Sequence, residues 1–326
     1  MTQLVESTVK SNEKYSFRNQ RTLATLLTKL SNFPKFGLAV LCAACFGVTV
    51  AMTKQSLSHL SPLVVLVIQS ISSIIFLWSV ILYQRVELPK RSVVWRASLV
   101  GLLEPGLSYI LGTVGLNLTT ASNATLISVS EPIITIALAA VLLKEKISSP
   151  LINLGLVACV GVGMVASPSL THITLNSLTG DILVLFGVLC ASLYAIVSRP
   201  LVKQAAPLVL VALQQSFALV LFVLILGISQ FLDHSTISFV QIHFYSLFLA
   251  IISGIIGQGV AFWLYLLALR TSGVSVTSLY LTLIPLFGVA TAYVTLGERL
   301  SLIQTLGGGL ILIVVLFISQ LPEAKH

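Results

Sequence analysis

Two glutamates lie inside long apolar stretches of this sequence, and a proline follows each of them directly. Glu104 precedes Pro105, and Glu131 precedes Pro132. Proline leaves the carbonyl four residues earlier without its helical hydrogen bond, so it breaks or kinks a helix at that point. A charged acid at the bilayer centre costs about 3 kcal/mol on insertion scales, so such acids face a polar cavity or a partner. A broken helix beside an acid is therefore suited to bind a solute or to carry a proton.

Small hydroxylated residues accompany both acids at helical spacing. Ser108 follows Glu104 by four residues. Ser128 precedes Glu131 by three residues, and Thr135 follows it by four. Side chains three or four residues apart share one face of a continuous helix, so these hydroxyls would extend each acid into a polar patch. A hinge whose acid hydrogen-bonds a neighbouring helix is the alternative for Glu131, and it stays open.

Aromatic, amide and hydroxyl side chains elsewhere in the apolar stretches complete the candidate set. An aromatic residue in a membrane helix is more often a packing residue or an interface anchor, and that alternative applies to each ring. Gln69 and Gln214 are interpreted as interhelical hydrogen-bonding residues or a gate rather than as solute contacts. The further candidates for solute contact or coupling are Tyr194, Gln258, Phe262, Trp263, Thr277 and Tyr280.

The elements that position these residues must lie in a lipid bilayer. The chain has 326 residues, of which 56% are hydrophobic and only 9% are charged, and its mean hydropathy is +1.03. A soluble globular protein has roughly 25% charged residues, so this chain cannot cover a water-facing surface. Apolar stretches of about 20 residues cross the hydrocarbon core as helices. The composition therefore predicts an all-α integral membrane protein.

Ten apolar stretches predict ten transmembrane helices. Polar, charged or proline-containing segments separate them, and the shortest separating segment lies around Asn117 to Ser122. The predicted spans cover residues 37–55, 62–83, 95–116, 121–143, 150–167, 180–198, 206–231, 243–269, 274–296 and 301–320.

The distribution of basic residues gives the direction of these spans. With the N-terminus inside, 16 of the 18 lysines and arginines fall on the inner side, and only Lys54 and Arg299 fall outside. Basic residues concentrate in cytoplasmic segments of membrane proteins, so the count supports ten spans with both termini in the cytoplasm. The same rule accounts for the net charge of +8, and no nucleic-acid partner is expected.

The chain contains an internal repeat whose two copies have opposite orientations. Pro62 and Gln69 each lie 145 residues before an identical residue, Pro207 and Gln214. Farther along each copy, residues such as Pro132, Glu145 and Gly155 have identical counterparts 153 residues later. Each copy has five predicted spans, and an odd number of spans inverts the second copy. Inverted repeats of this kind are typical of secondary transporters, in which two halves rock about a central site.

The repeated segments resemble the EamA family of the drug/metabolite transporter superfamily. In the first copy, Glu131-Pro132 is followed by the turn Lys144-Glu145-Lys146-Ile147. In the second copy, Ile284-Pro285 is followed by Gly297-Glu298-Arg299-Leu300. The resemblance covers roughly residues 36–320 and implies ten helices in two inverted five-helix repeats. It also implies export of amino acids, drugs or other small metabolites. Both intramembrane acids are absent from the second copy, where Gly257 and Ile284 stand in the matching positions.

These observations divide the chain into five parts. We expect a partly disordered cytoplasmic tail at 1–35, a first repeat at 36–167, an extracytoplasmic linker at 168–179, a second repeat at 180–320 and a cytoplasmic tail at 321–326. The expected function is secondary transport of amino-acid-like or drug-like solutes by alternating access, with export as the direction that the resemblance implies. The expected location is the bacterial inner membrane.

Other chemistries find little support in the sequence. No nucleotide-binding motif, metal-ligand cluster or nucleophile motif is present, so no cofactor, metal site or enzyme activity is expected. A channel or a membrane-embedded enzyme without a transport cycle is the alternative. The expected partners are the lipid bilayer, a small-molecule substrate and, through Glu104 or Glu131, protons. The oligomeric state is open, although a monomer is sufficient for the mechanism.

Overall fold

The computed structural model describes most of the chain between residues 35 and 320. The described ranges are 35–118, 127–128, 130–144, 148–166, 175–232, 243–284, 286–288, 290–291 and 302–320. The predicted tails (apart from Lys35), the turns at Glu145 and Glu298, and residues 168–174 of the predicted linker lie outside these ranges.

The described residues form α-helices, with two short π-helical segments and no strand among them. The α-helices are α1 (Lys35–Ser56), α2 (Pro62–Gln84), α3 (Arg91–Val100), α4 (Ser108–Leu118), α5 (Glu131–Leu142), α6 (Ser149–Ala166), α7 (Leu175–Leu201), α8 (Pro207–Leu232), α9 (Phe244–Ser253), α10 (Phe262–Ser272), α11 (Val274–Leu281) and α12 (Leu302–Gln320). The π-helical segments are π1 (Leu102–Leu107), between α3 and α4, and π2 (Gly254–Ala261), between α9 and α10.

The described residues contain ten apolar helical stretches, two of which join two α-helices across a π-helical segment. Among the described residues, five are long enough to cross a bilayer, namely Pro62–Gln84, Arg91–Gly115, Leu178–Leu201, Pro207–Ser229 and Phe244–Ser272. Shorter apolar helices lie at Gly37–Thr53, Glu131–Leu142, Ser149–Met164 and Thr305–Phe317, and a fifth begins at Val274. The protein is therefore a helical membrane protein, while the count of ten complete spans stays a prediction.

Local sequence explains where a helix such as α2 begins and ends. Pro62 occupies the first turn, where its missing N–H leaves no helical hydrogen bond unmade. At the other end, Arg85 adopts a left-handed conformation with φ 51° and ψ 43°. The Val86 N–H then donates to the Ile81 carbonyl at 3.1 Å, which satisfies one of the last open carbonyls of the helix.

The helix break predicted at Glu104-Pro105 is present, and it takes the form of π1. Glu104 has the extended dihedral angles φ −146° and ψ 129° within an otherwise helical stretch. Pro105 cannot donate to the Gly101 carbonyl, four residues earlier. The Gly106 N–H donates to that carbonyl instead, at 2.9 Å. The backbone group released by proline is therefore satisfied locally, as an apolar interior requires.

The contacts between helices repeat at the offsets read from the sequence. Leu102–Leu107 and Gly254–Ala261 interrupt their helices at positions that correspond under the 153-residue offset. In the first half, Gly101 packs against the backbone of Gln214. The counterparts of these two residues are Gly254 and Gln69, and Gly254 packs against the backbone of Gln69 in the same way. Each half thus presents its broken helix to the second helix of the other half.

Two further contact pairs follow the same rule. Thr135 donates to Ser192 at 3.0 Å, and the counterparts of these residues, Gly288 and Gly47, are also in close contact. The Cys42 thiol lies 3.3 Å from the Ala261 carbonyl, and the corresponding pair is Gly187 against the Ser108 backbone. A duplicated sequence has therefore produced duplicated packing.

The helices enclose a large interior cluster of buried side chains. Its members come from both halves and include Cys42 on α1, Tyr194 on α7, and Phe262 and Tyr265 on α10. A second cluster contains Ile136, Leu151, Leu279, Tyr280 and Ile311, among others. The candidate site lies at the first of these clusters.

Candidate functional site

The structure brings Glu104 and Glu131 together from two separate helices. Glu104 lies in π1, and Glu131 is the first residue of α5. The two carboxyl groups lie deep in the bundle and close enough for Glu131 to act electrostatically on Glu104. They are distant in sequence, so their proximity is a product of the fold. The site therefore begins as a pair of neighbouring acids.

Neither acid has a direct partner among the residues that the structure describes. No hydrogen bond or ion pair joins Glu104 or Glu131 to any other described group, and no described cation acts on either electrostatically. Both side chains are half-buried, and their oxygens are absent from the fully enclosed polar atoms that have no partner. Each carboxyl group is thus partly accessible and has no partner among the described residues.

An aromatic wall lies beside the acid pair. We use this name for Phe46, Tyr109, Tyr194, Phe262 and Tyr265. The Phe262 ring is at the centre, with ring centroids 5.3 Å from Phe46, 6.3 Å from Tyr109, 6.1 Å from Tyr194 and 6.4 Å from Tyr265. Tyr194 and Tyr265 are nearly parallel, with centroids 6.1 Å apart. These distances and the mostly edge-to-face angles are typical of favourable aromatic packing.

The three tyrosines of the wall differ in what their hydroxyl groups do. The Tyr194 hydroxyl donates to the Gln214 Oε1 at 2.9 Å and is fully buried. The hydroxyls of Tyr109 and Tyr265 have no hydrogen-bond partner among the described residues, and both acids act on them electrostatically. Tyr265 is only 5% exposed, so its hydroxyl lies in the core of the bundle.

The hydroxylated residues predicted to extend the acids take other positions. The extended conformation of Glu104 interrupts the helix between Glu104 and Ser108, so the four-residue spacing no longer implies a shared face. Ser108 is half-buried, and its part in a site stays a prediction. Ser128 is exposed and lies outside α5, which begins at Glu131. Thr135 is buried, and its hydroxyl is engaged with Ser192 at 3.0 Å.

Gln258 lies in a cluster of hydrogen-bonded polar side chains. Its Oε1 accepts from Ser70 at 2.9 Å, and its Nε2 donates to Gln69 at 3.4 Å. Gln69 also donates to Thr53 at 2.8 Å and to Ser253 at 2.9 Å. These bonds join α1, α2, α9 and π2, which is the interhelical role expected of Gln69. The Gln258 amide is engaged in the same way.

The remaining candidates lie at different depths of the bundle. Phe262 and Tyr194 belong to the aromatic wall. Trp263 is half-buried and packs on the main cluster. Thr277 is buried and donates to the Gly273 carbonyl at 2.6 Å, and Tyr280 belongs to the second cluster with Leu283 and Ile136. The part of Thr277 and Tyr280 in a site stays a prediction.

Sequence reasoning did not select Tyr109 and Tyr265 for the site. Tyr109 carried a usable signal, since Phe262 is its counterpart at the 153-residue offset, and the two rings meet at 6.3 Å. An aromatic ring conserved between the two copies of the repeat marks a position near the axis that relates them. Tyr265 carried no such signal, because its counterpart is Gly112.

Comparison with known proteins agrees with this architecture. The sequence model of the EamA-like transporter family matches residues 35–167 and again residues 178–320. A solved crystal structure of a protein superposes with a TM-score of 0.74 at 17% sequence identity, covering 88% of this chain and 99% of the other. A likeness at that identity speaks for the fold alone. The comparison with curated proteins gave no match.

Proposed function

The chain belongs to the EamA-like transporter family, and from that premise we propose that it is a secondary transporter of small organic solutes. The proposed architecture is ten transmembrane helices in two inverted five-helix repeats, 36–167 and 180–320, in the bacterial inner membrane with both termini in the cytoplasm. The two halves rock about a central site that opens to each side in turn. Export is the proposed direction.

One observation carries this proposal beyond the family. Two half-buried carboxyl groups without partners among the described residues lie near each other and near the tyrosines of the aromatic wall. Acids that serve only to hold membrane helices together would be paired with donors on neighbouring helices. Unpaired acids beside packed rings are suited instead to bind a solute that enters and leaves. Glu104, Glu131, Tyr109 and Tyr265 are the residues proposed to contact it.

Counterflow in proteoliposomes tests the proposal. Purified protein would first be screened by thermal shift against amino acids, nucleobases and organic cations, and a stabilising compound would be used as the radiolabelled solute. We expect saturable uptake that is accelerated several-fold by unlabelled solute on the opposite side. A carrier shows this acceleration because its loaded site returns faster than its empty one. Non-saturable flux that is insensitive to solute on the opposite side would contradict a transport cycle.

The same assay tests proton coupling. Uptake would be measured across a range of pH in the wild type, in Glu104→Gln and in Glu131→Gln. Glu87→Gln is the matched control, since Glu87 is an exposed carboxylate in the segment between α2 and α3. If the pH dependence of uptake were unchanged in both site variants, neither Glu104 nor Glu131 would be the proton carrier.

A further inference from the structure

The acid pair and the aromatic wall together select one class of solute. We propose that the site binds a protonated organic amine whose hydrocarbon or aromatic body lies against the wall and whose ammonium group lies between Glu104 and Glu131. This deepens the proposed function by naming its substrate class. The binding part of the inference is independent of whether the protein completes a transport cycle.

The charge of the site is the first step. Glu104 and Glu131 both interact electrostatically with Tyr109 and Tyr265. No lysine or arginine among the described residues interacts electrostatically with either acid. Arg199, a buried basic residue in the last turn of α7, is directed instead to the carbonyl of Leu269. A site with two acids and no cation favours a positively charged solute and disfavours an anion, because an unpaired buried charge is costly.

The hydrogen-bonding capacity of the site is the second step. Tyr265 is 5% exposed and Tyr109 is half-buried, and both lie near enough to the two acids to interact with them electrostatically. Neither hydroxyl has a hydrogen-bond partner among the described residues. Carboxylates accept hydrogen bonds, and a phenol oxygen can accept one as well. Together they form a set of acceptors suited to the N–H groups of an ammonium ion.

The aromatic wall supplies the third step. A cation within about 6 Å of a ring centroid is attracted by the negative face of the ring. Tyr109 and Phe46 are the half-buried members of the wall, while Phe262 behind them is 2% exposed. The first two rings are thus accessible to the body of a solute, and Phe262 supports them. An amine with an aromatic body would therefore be held at both ends.

A zwitterionic amino acid is the informative competitor. Its ammonium group would be accepted as well as that of a simple amine, but its carboxylate would be placed near Glu104 and Glu131. Among the described residues, nothing positively charged is available there to compensate it. The inference therefore separates this chain from a carrier of amino acids and predicts a preference that composition alone does not indicate.

The test compares four small molecules that share a phenyl ring and a short chain. Binding of phenethylamine, 2-phenylethanol, 3-phenylpropanoate and L-phenylalanine to the full-length protein in detergent would be measured by isothermal titration calorimetry at pH 7 and fixed salt. We expect the amine to bind at least about tenfold more tightly than the other three, the equivalent of one charge-assisted hydrogen bond. This arm uses only wild-type protein, so it does not depend on how a variant folds.

Variants then assign the preference to the site. Glu104→Gln and Glu131→Gln should each weaken phenethylamine binding about tenfold and leave 2-phenylethanol unchanged. The control Glu87→Gln should leave both affinities unchanged, because Glu87 is an exposed residue outside the site. Equal affinity for amine and alcohol, tighter binding of the anion or the zwitterion, no amine binding at millimolar concentration, or no effect of either site variant would overturn the inference.

The outcomes also separate this inference from the proposed function. Selective amine binding without counterflow would contradict the transport cycle and leave the site chemistry in place. Counterflow of an uncharged or anionic solute, with no preference for amines, would contradict the site chemistry and leave the transporter in place.

Discussion

At the scale of single residues, the two halves of the protein differ at the positions of the two acids. Glu104 corresponds to Gly257 in the second half, and Glu131 corresponds to Ile284. At Gly257, an added Cβ would lie 2.7 Å from the hydroxyl of Thr49, so this position is filled by a neighbouring helix. The first half supplies the acids, and the second half supplies Phe262 and Tyr265 opposite them.

The hydrogen bond from Tyr194 to Gln214 gives the first prediction. Replacing Tyr194 with Phe should lower the free energy of unfolding by about 1 kcal/mol, the usual size of an interhelical hydrogen bond in a membrane protein. The Gln214 Nε2 already lacks a partner in a fully enclosed position, so the variant leaves the whole amide unpartnered. Reversible unfolding in mixed micelles measures the change.

Tyr83→Phe is the matched control for this prediction, because Tyr83 is 52% exposed. The double variant Tyr194→Phe with Gln214→Leu should lose less stability than the sum of its single variants. Removing both members of a buried pair avoids the cost of an unsatisfied amide. Additive losses would show that the hydrogen bond does not contribute to stability.

At the scale of the helices, most element positions were predictable and most contacts were not. The predicted spans 37–55 and 62–83 match Lys35–Ser56 and Pro62–Gln84 within a few residues. Apolar length and polar breaks determine such boundaries, so one sequence is sufficient. The helix that begins at Leu175 starts five residues before the predicted span at 180. The prediction placed its start later because Asn176, Ser177 and Thr179 are polar, as linker residues usually are.

The two helix breaks show the same limit. The break at Glu104 was predictable from Pro105, which lacks the N–H that a helix needs at that point. The corresponding π-helical segment Gly254–Ala261 has no proline, so no residue in it predicts a break. The aromatic wall was predictable only in part. Tyr194 and Phe262 were candidates, but the contacts between the rings depend on which helix faces meet in the folded bundle.

Close packing at the two breaks gives the second prediction. Replacing either Gly101 or Gly254 with Ala should destabilise the protein by about 1–3 kcal/mol, the usual cost of overpacking. A Cβ at Gly101 would lie 2.5 Å from the Gln214 Cα, and one at Gly254 would lie 2.6 Å from the Gln69 Cα. Backbone atoms cannot move aside as flexible side chains do. Thermal unfolding in detergent compares the two variants with the wild type.

Gly227→Ala is the control for these variants, since nothing lies within 4 Å of a Cβ built at Gly227. A helical Gly-to-Ala change without a clash should be neutral or stabilising by up to about 1 kcal/mol. If Gly101→Ala and Gly254→Ala behaved like Gly227→Ala, the helices would not pack as closely as the structure has them. Because the two glycines are counterparts, we also expect similar losses from both.

At the scale of the whole molecule, the paired contacts imply that one arrangement of helices occurs twice. The broken helix of each half packs on the second helix of the other, through Gly101 with Gln214 and through Gly254 with Gln69. These reciprocal contacts connect the two halves at the helix breaks. A rocking motion of one half would therefore move the backbone next to the acid pair, which is where a carrier needs the motion to act.

The proposed inversion of the two halves gives the last prediction, because counterparts must then lie on opposite faces of the membrane. Ser58 and Lys203 are both exposed, lie in the turns after α1 and α7, and correspond under the 145-residue offset. In a variant in which Cys42, Cys45, Cys159 and Cys190 are replaced, a cysteine at either position would be labelled in intact cells with a membrane-impermeant maleimide. We expect labelling at position 58 and none at 203 until the cells are permeabilised, since the basic segments lie inside. Leu88, exposed in the turn after α2, is the control and should behave like 203. Labelling of 58 and 203 from the same side would make the repeats parallel, and the alternating exposure of one central site would lose its structural basis.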